Sequence, residues 1–338
     1  MSRRHIVEQL LKINDDADHL VFAFFHPWTI HCGKLGPMLE RIFDRGFRLV
    51  AFRFHRITER DIELIYAANR PIDKNRSWFI PRQLYEMGPS CGVILYRPVP
   101  GESATQELKQ LKGSSQPFLN SPGQLRYDFR PPNKSINLIH SSDSWESTIE
   151  EALVFLSPEE IEFVLRNVRR APFDDNATRL LKHPAYTGIE IVREETATSL
   201  LLKLRIRALD LLQLQLEPDL CEPLFRFWNE RLERDYFALT VHEEAKEYVS
   251  LVADEAPLLQ PVLSALRSPA GINRPLRSLN QTPVAALAGL LAILSDPDCF
   301  TDADAEALLS IPVFLDRWEE QLFKTTLLHF DELRYCRS

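Results

Sequence analysis

Paired cysteines, a basic excess and a membrane-length apolar run are all missing from this chain, and each absence narrows what it can do. The five cysteines, Cys32, Cys91, Cys221, Cys299 and Cys336, are odd in number and far apart, with no C-x-x-C pair. That pattern indicates neither a disulfide framework nor a zinc knuckle and fits a reducing cytoplasm. Lys and Arg number 40 against 48 Asp and Glu, a formal net charge of -8. No global basic field recruits nucleic acid, although a local phosphate pocket needs only a few directed cations. The most apolar stretch, Val284 to Leu294, is too short to cross a bilayer and reads as a buried helix. Ser2-Arg3-Arg4 resembles a twin-arginine signal, but Glu8, Gln9, Lys12, Asn14, Asp15 and Asp16 interrupt the apolar region that export requires. The expectation is a cytoplasmic protein with no nucleic-acid and no membrane partner.

What is present is ample apolar material, 45% of residues against 26% charged, in a chain of 338 residues. That length favours about two domains. Residues 1-18 carry a helical stripe (Ile6, Val7, Leu10, Leu11, Ile13) and read as an N-terminal helical extension. Leu20 to Phe25 is a continuous apolar run, as in a buried central strand. Helix is then expected over Gly33 to Phe43, strand over Phe47 to Phe54, helix over Asp61 to Ala68 and Ile80 to Met87, strand over Cys91 to Tyr96 and helix over Ala104 to Leu111. A Gly/Ser/Pro-rich loop from Gly113 to Asn133 leads to a short apolar run at Ile136 and a further helix from Thr148. This order predicts an α+β domain over residues 19-165, an antiparallel sheet with helices on one face in the split β-α-β, ferredoxin-like layout. Residues 166-338 read as an all-α domain with helices at Thr196-Leu216, Asp219-Leu232, His242-Ala253, Pro283-Leu294, Asp302-Leu309 and Val313-Leu333, broken at Pro218, Pro257, Pro269-Ala270-Gly271, Pro275 and Pro297. It shows no repeat of fixed length and no catalytic motif, which points to a structural or partner-binding role.

Chemistry concentrates in Ile136-Asn137-Leu138-Ile139-His140-Ser141-Ser142-Asp143-Ser144-Trp145-Glu146-Ser147, where one imidazole is delivered to a loop of hydroxyls and carboxylates. A histidine becomes a useful nucleophile when its ring is aimed and one nitrogen is kept unprotonated. By composition alone a His among Ser and Asp is more often a solvated loop residue. The segment resembles the active-site motif Asn-x-x-His-Gly-Ser-Asp-Ser-x-Glu-Ser of the nucleoside diphosphate kinases, with Ser141 in place of the glycine. Arg45-Gly46-Phe47-Arg48-Leu49-Val50, Gly88-Pro89 and Ser157-Pro158-Glu159-Glu160 resemble further landmarks of that family, in the right order, between about Leu20 and Phe163.

The resemblance implies a phosphotransferase that carries the terminal phosphate of ATP to a nucleoside diphosphate through a phosphohistidine at His140, with Mg2+ bound along with the nucleotide. It implies Glu151 as the acid that orients the imidazole, placed in the opening turn of the following helix, and Ser142 as the hydroxyl beside it. Arg126 would grip phosphate oxygens, or is otherwise a surface arginine. Tyr66 would lie near the transferred group, or pack at a helix end; Asn137 would bond the ribose or bridging oxygens, or form a turn. Arg76 would approach the phosphates, and Trp78 would stack on the base or serve as a core aromatic. Lys109 and Ser115 stand where the family has arginine and threonine, each keeping a donor. The main departure is Phe25-His26-Pro27-Trp28 for the family's K-P-D. His26 takes the place of a lysine that touches the terminal phosphate, and is expected to be an exposed imidazole that titrates near ~6.5 and supplies charge only while protonated. The family also implies a homo-oligomer. A reading of a different class is a nucleotide-binding sensor or regulatory module that signals through residues 166-338.

Overall fold

The computed structural model describes residues 3-13, 17-66, 79-99, 103-168, 196-202, 204-205, 218-232, 241-267 and 316-328. Two compact units, Met1-Glu194 and Glu195-Ser338, make up the chain. Arg76, Trp78, the expected helices Pro283-Leu294 and Asp302-Leu309, and most of Thr196-Leu216 lie outside the described residues.

The first unit is built on β1 (Leu20–Phe25), whose six side chains are all buried. β1 pairs antiparallel with β3 (Ser90–Tyr96) on one side and with β4 (Ile139–Ser141) on the other; β2 (Arg48–His55) extends the sheet beyond β3. The order β2-β3-β1-β4 with helical connections is the split β-α-β arrangement expected from the sequence. Phe22, Phe24, Ile94 and Tyr96 enter one core with Val7 and Leu10 of α1 (Arg3–Leu10), Ile62 and Ile65 of α4 (Glu59–Ile65), Ile149, Ala152 and Phe155 of α8 (Trp145–Phe155), and Ile161, Val164 and Leu165 of α9 (Pro158–Asn167). The alternate residues Val21, Ala23, Phe25, Val93 and Leu95 are completely buried too, and α6 (Ala104–Lys112) packs beside β1 and β4. Both faces of the central strands are therefore covered, which corrects the one-face expectation. The physical reason is the absence of polar alternation in β1 and β3: a strand apolar on both sides needs a cover on both.

Gly92 shows how closely α8 approaches the sheet. A Cβ there would lie 2.5 Å from Phe155 Cδ1, so only glycine lets Phe155 settle against Phe22 and Phe24. Helix α8 begins at Trp145, three residues before the expected start, because Ser144 caps it: Ser144 Oγ accepts from the Ser147 amide and the Ser147 hydroxyl from the Ser144 amide. Glu151 therefore sits in the second turn, one helical turn deeper than the sequence reading placed it. A further helix, α7 (Leu125–Asp128), lies inside the expected loop and carries Arg126. Helix α2 (Pro27–His31) follows β1 directly, with Pro27 in its first position. The rest of the unit comprises α3 (Leu35–Phe43) and α5 (Phe79–Glu86).

In the second unit the described segments include the helices Pro218–Leu232, Val241–Arg267 and Arg317–Leu328. The helix expected to stop before Pro257 runs on through Pro257 and Pro261. Each proline removes one backbone hydrogen bond, and burial of Leu251, Leu259, Val262 and Leu263 along the same helix holds it together. Arg205 and Glu255 form a fully buried ion pair at 2.6 Å. No helix among the described residues is long and apolar enough to cross a membrane.

Candidate active site

His140 is the middle residue of β4 and lies opposite Phe24 of β1. Its ring stacks on Phe24 at 5.0 Å and meets the edge of Tyr66 at 5.5 Å. Glu151 Oε2 lies 2.8 Å from His140 Nε2 and accepts from Ser142 Oγ at 2.7 Å. A carboxylate only accepts, so Nε2 carries the proton and Nδ1 keeps its lone pair. The ring is thereby held from below by an aromatic face and from one side by a carboxylate that a hydroxyl in turn fixes. Strand β4 can bring His140 to Glu151 because α8 packs against β1, the strand with which β4 pairs.

The strand itself is braced by Arg126. Its Nε donates to Asn137 O at 3.0 Å, Nη1 to Gly113 O at 2.8 Å and Nη2 to Ile139 O at 2.7 Å. The guanidinium is 5% exposed and spends three of its five donors on carbonyls on both sides of the β4 approach. Burial lowers its pKa to about 10, which leaves it protonated at neutral pH. The alternative of a plain surface arginine is excluded by this burial. Leu138, between the two braced carbonyls, has a positive φ of 71°, a conformation that a branched side chain adopts only under constraint. The constraint is visible: its carbonyl accepts from His26 N at 3.0 Å and Thr29 Oγ1 at 2.6 Å.

Tyr66, Asn137 and Lys109 gather around the same end of the sheet. Tyr66 caps α4 and its hydroxyl lies 3.1 Å from that of Tyr85; burial pushes its pKa up to about 12, so it stays a neutral phenol. Asn137 Nδ2 donates to Lys134 O at 3.2 Å, while its buried Oδ1 has no hydrogen-bond partner among the described residues. Lys109 pairs with Asp143 at 2.9 Å, both of them exposed. The Asp143 pKa is lowered: burial acts to raise it, but the hydrogen bond and charge of Lys109 and the charges of Lys112 and His140 outweigh that. Ser115 lies half-buried in the bend after α6.

His26 departs from its expectation. Its ring is 1% exposed, stacked on Phe24 at 5.4 Å and edge-on to Tyr85 at 5.3 Å, with Nε2 3.4 Å from the Tyr85 hydroxyl. Burial first, then the positive charges of His140, Arg126 and Lys112, hold its pKa well below 6.5. It is a neutral core imidazole rather than an exposed group titrating near neutrality. The run LVFAFF simply continues its burial through one more residue, a polar one that the sequence marks as an end. In the same way Trp28, in the place of the family's aspartate, is a buried residue of α2.

Lys112 is not among the residues that the family resemblance implies. On α6 the buried positions are Ala104, Thr105, Leu108, Leu111 and Lys112, so the lysine lies on the inward stripe at helical spacing. That spacing is the signal that was available; a lysine just before the capping Gly113 reads more naturally as a solvated helix end. Instead its Nζ donates to Ser141 Oγ, the residue after His140, at 2.7 Å.

Residues 21-161 match the family model described as nucleoside diphosphate kinase. The stretch is similar to the nucleoside diphosphate kinase of Fervidobacterium nodosum, 29% identical over 143 residues that make up 41% of this chain and 90% of that protein. It is likewise similar to that of a Roseiflexus species, 30% identical over 135 residues, 40% of this chain and 85% of the relative. Among solved structures, a nucleoside diphosphate kinase family protein from Babesia bovis is 24% identical with a TM-score of 0.36, covering 42% of this chain and 90% of that one.

Proposed function

The chain belongs to the nucleoside diphosphate kinase family through residues 21-161, and from that premise we propose that it moves the terminal phosphate of ATP to a nucleoside diphosphate by way of a phosphohistidine at His140. The observation that carries this reading is the relay from Ser142 to Glu151 to His140 Nε2, at 2.7 and 2.8 Å. It fixes the tautomer in which Nδ1 is the lone-pair nitrogen, the requirement for a histidine nucleophile. In the first half-reaction the Nδ1 lone pair forms a bond to the terminal phosphorus, the bridging P–O bond breaks and the diphosphate leaves with the electron pair. In the second half the terminal oxygen of another diphosphate attacks the same phosphorus and the N–P bond breaks. Glu151 stabilises the ring while it bears the phosphoryl group, because a carboxylate on Nε2–H compensates positive charge developing on the imidazole.

Arg126, Lys109, Ser115, Asn137 and Tyr66 supply donors around the phosphates and sugar on this reading. The unpaired Asn137 Oδ1 is the acceptor a hydroxyl would fill. Arg76 and Trp78 keep the phosphate and base roles that the sequence resemblance implies. Mg2+ enters as part of the substrate, held by the nucleotide's phosphates, which suits an ion that keeps its waters and prefers phosphate oxygens.

The test is a two-step label experiment on the unmodified protein. Incubation with γ-labelled ATP and Mg2+ should leave an acid-labile, alkali-stable label on the protein, and GDP added to the washed protein should remove it as labelled GTP. Label that is absent while nucleotide still binds would favour the sensor reading, for which the loss of the family lysine at position 26 and the presence of a second compact unit speak.

A further inference from the structure

Lys112 is a buried cation whose nearest carboxylates are already engaged. It is 8% exposed, its Nζ donates to Ser141 Oγ, and no carboxylate stands within ion-pair distance of it among the described residues. Asp143 is held by Lys109 at 2.9 Å and Glu151 by His140 and Ser142. An ammonium is rarely buried without a counter-charge, since desolvation strongly disfavours its charged form. Arg126, buried beside it, is likewise satisfied only by neutral carbonyls. Two buried cations with no anion between them, at the end of the strand that carries His140, describe a site built for an anion that arrives from outside.

We propose that Lys112 is the second buried cation of this phosphate site, and that its charge, held by Ser141, draws and neutralises the phosphate chain of the nucleotide where His26 supplies no charge. The inference rests on the nucleotide-binding reading above and adds to it a residue and a regulation. It also explains why Ser141 stands where the family motif has glycine: the hydroxyl gives the buried ammonium its one acceptor. The arrangement is pH-sensitive. Burial, followed by the charge of Arg126, lowers the Lys112 pKa to about 8, with Asp143 and Glu151 opposing and Lys109 assisting. Those groups, with His140 beyond Ser141, are the charged and titratable side chains facing it from α6, α7, β4, α8 and the turn between β4 and α8. The adjoining face of β1 offers only Val21, Ala23 and Phe25, and Asp18 and His19 of the turn Ala17–His19, which touches α6, do not contribute to the shift.

The sign follows from linkage. A bound phosphate favours protonated Lys112, so the free protein must take up a proton to bind once pH exceeds about 8. Affinity should fall as pH rises through that value, by up to about tenfold per unit. Phosphate itself titrates near ~6 and is fully ionised across that range.

The experiment measures ADP binding by calorimetry from pH 7 to 9.5 on the full chain and on Lys112→Met, which keeps the length of the buried stem without its charge. The proposal expects wild-type affinity to decline through pH 8 to 9. It expects Lys112→Met to bind at least about tenfold more weakly at pH 7.5, with a profile flat in that window, and to unfold at an unchanged or higher temperature because an unpaired buried charge is gone. Weaker binding together with equal or greater stability is a signature that a merely structural lysine would not produce. Wild-type affinity that is flat through pH 8 to 9 overturns the proposal without reliance on any variant. Equal affinity and an equal profile in Lys112→Met overturn it as well while leaving the nucleotide reading intact, whereas absence of ADP binding by the wild type at every pH overturns both.

Discussion

Replacement of His140 by alanine is expected to remove all acid-labile label and to lower ATP–GDP exchange by at least about four orders of magnitude. No neighbouring group can take over. Ser141 and Ser142 are buried and committed to Lys112 and Glu151, and a neutral hydroxyl is a far weaker nucleophile than an imidazole lone pair. Tyr66, with its pKa pushed up to about 12, stays protonated. The fold should survive, because the ring is partly exposed and Glu151 keeps its bond from Ser142, so ADP should bind within about threefold of wild type on the scale of one lost edge contact. Retained labelling in the alanine variant, with ADP affinity preserved, would move the acceptor to another side chain.

Replacement of Arg126 by alanine is expected to be the most damaging single change in the first unit. Three carbonyls, Gly113 O, Asn137 O and Ile139 O, lose their guanidinium donor at once. An unsatisfied buried carbonyl costs about 1–3 kcal/mol, so the sum over three is on the order of 3–9 kcal/mol before any relaxation. A domain's total stability is about 5–15 kcal/mol. For a unit of this size that corresponds to a fall in melting temperature of about 10 °C or more. Leu138, at its positive φ, lies between two of those carbonyls, so release of the brace should also let β4 relax and misplace His140. Arg126→Lys preserves charge but reaches three diverging carbonyls with one point donor group, and should recover only part of the stability. Thermal unfolding of the three proteins, followed by circular dichroism, decides the matter; a shift of only a few degrees for alanine would show that the approach to β4 does not depend on this side chain.

The sheet was legible in the sequence because β1 and β3 are apolar runs whose only reasonable place is a covered centre. The candidate site was legible because Asn137 to Ser147 is contiguous and resembles the family motif; the expectation for Ser142 and Glu151 came from that resemblance, and both lie against His140 or each other in the structure. Three features resisted reading for physical reasons. The start of α8 was hidden by Ser144 and Ser147, a serine-only capping box in which no acidic residue marks the third position. The state of His26 depends on long-range burial between Phe24 and Tyr85, which local polarity does not reveal. Lys112 was missed because a lysine just before a capping glycine reads as a solvated helix end, although its spacing on α6 places it inside. The continuation of the helix Val241–Arg267 past two prolines is of the same kind, tertiary packing overriding a local breaker.

The central claim is that Glu151 on Nε2 leaves Nδ1 of His140 as the reacting atom. The most direct measurement is to digest the phosphorylated wild-type protein in alkali and determine which phosphohistidine isomer it contains, by 31P NMR against both standards. The geometry predicts Nδ1-phosphohistidine on the peptide containing His140. Nε2-phosphohistidine, or phosphate on a serine of the same segment, would contradict it.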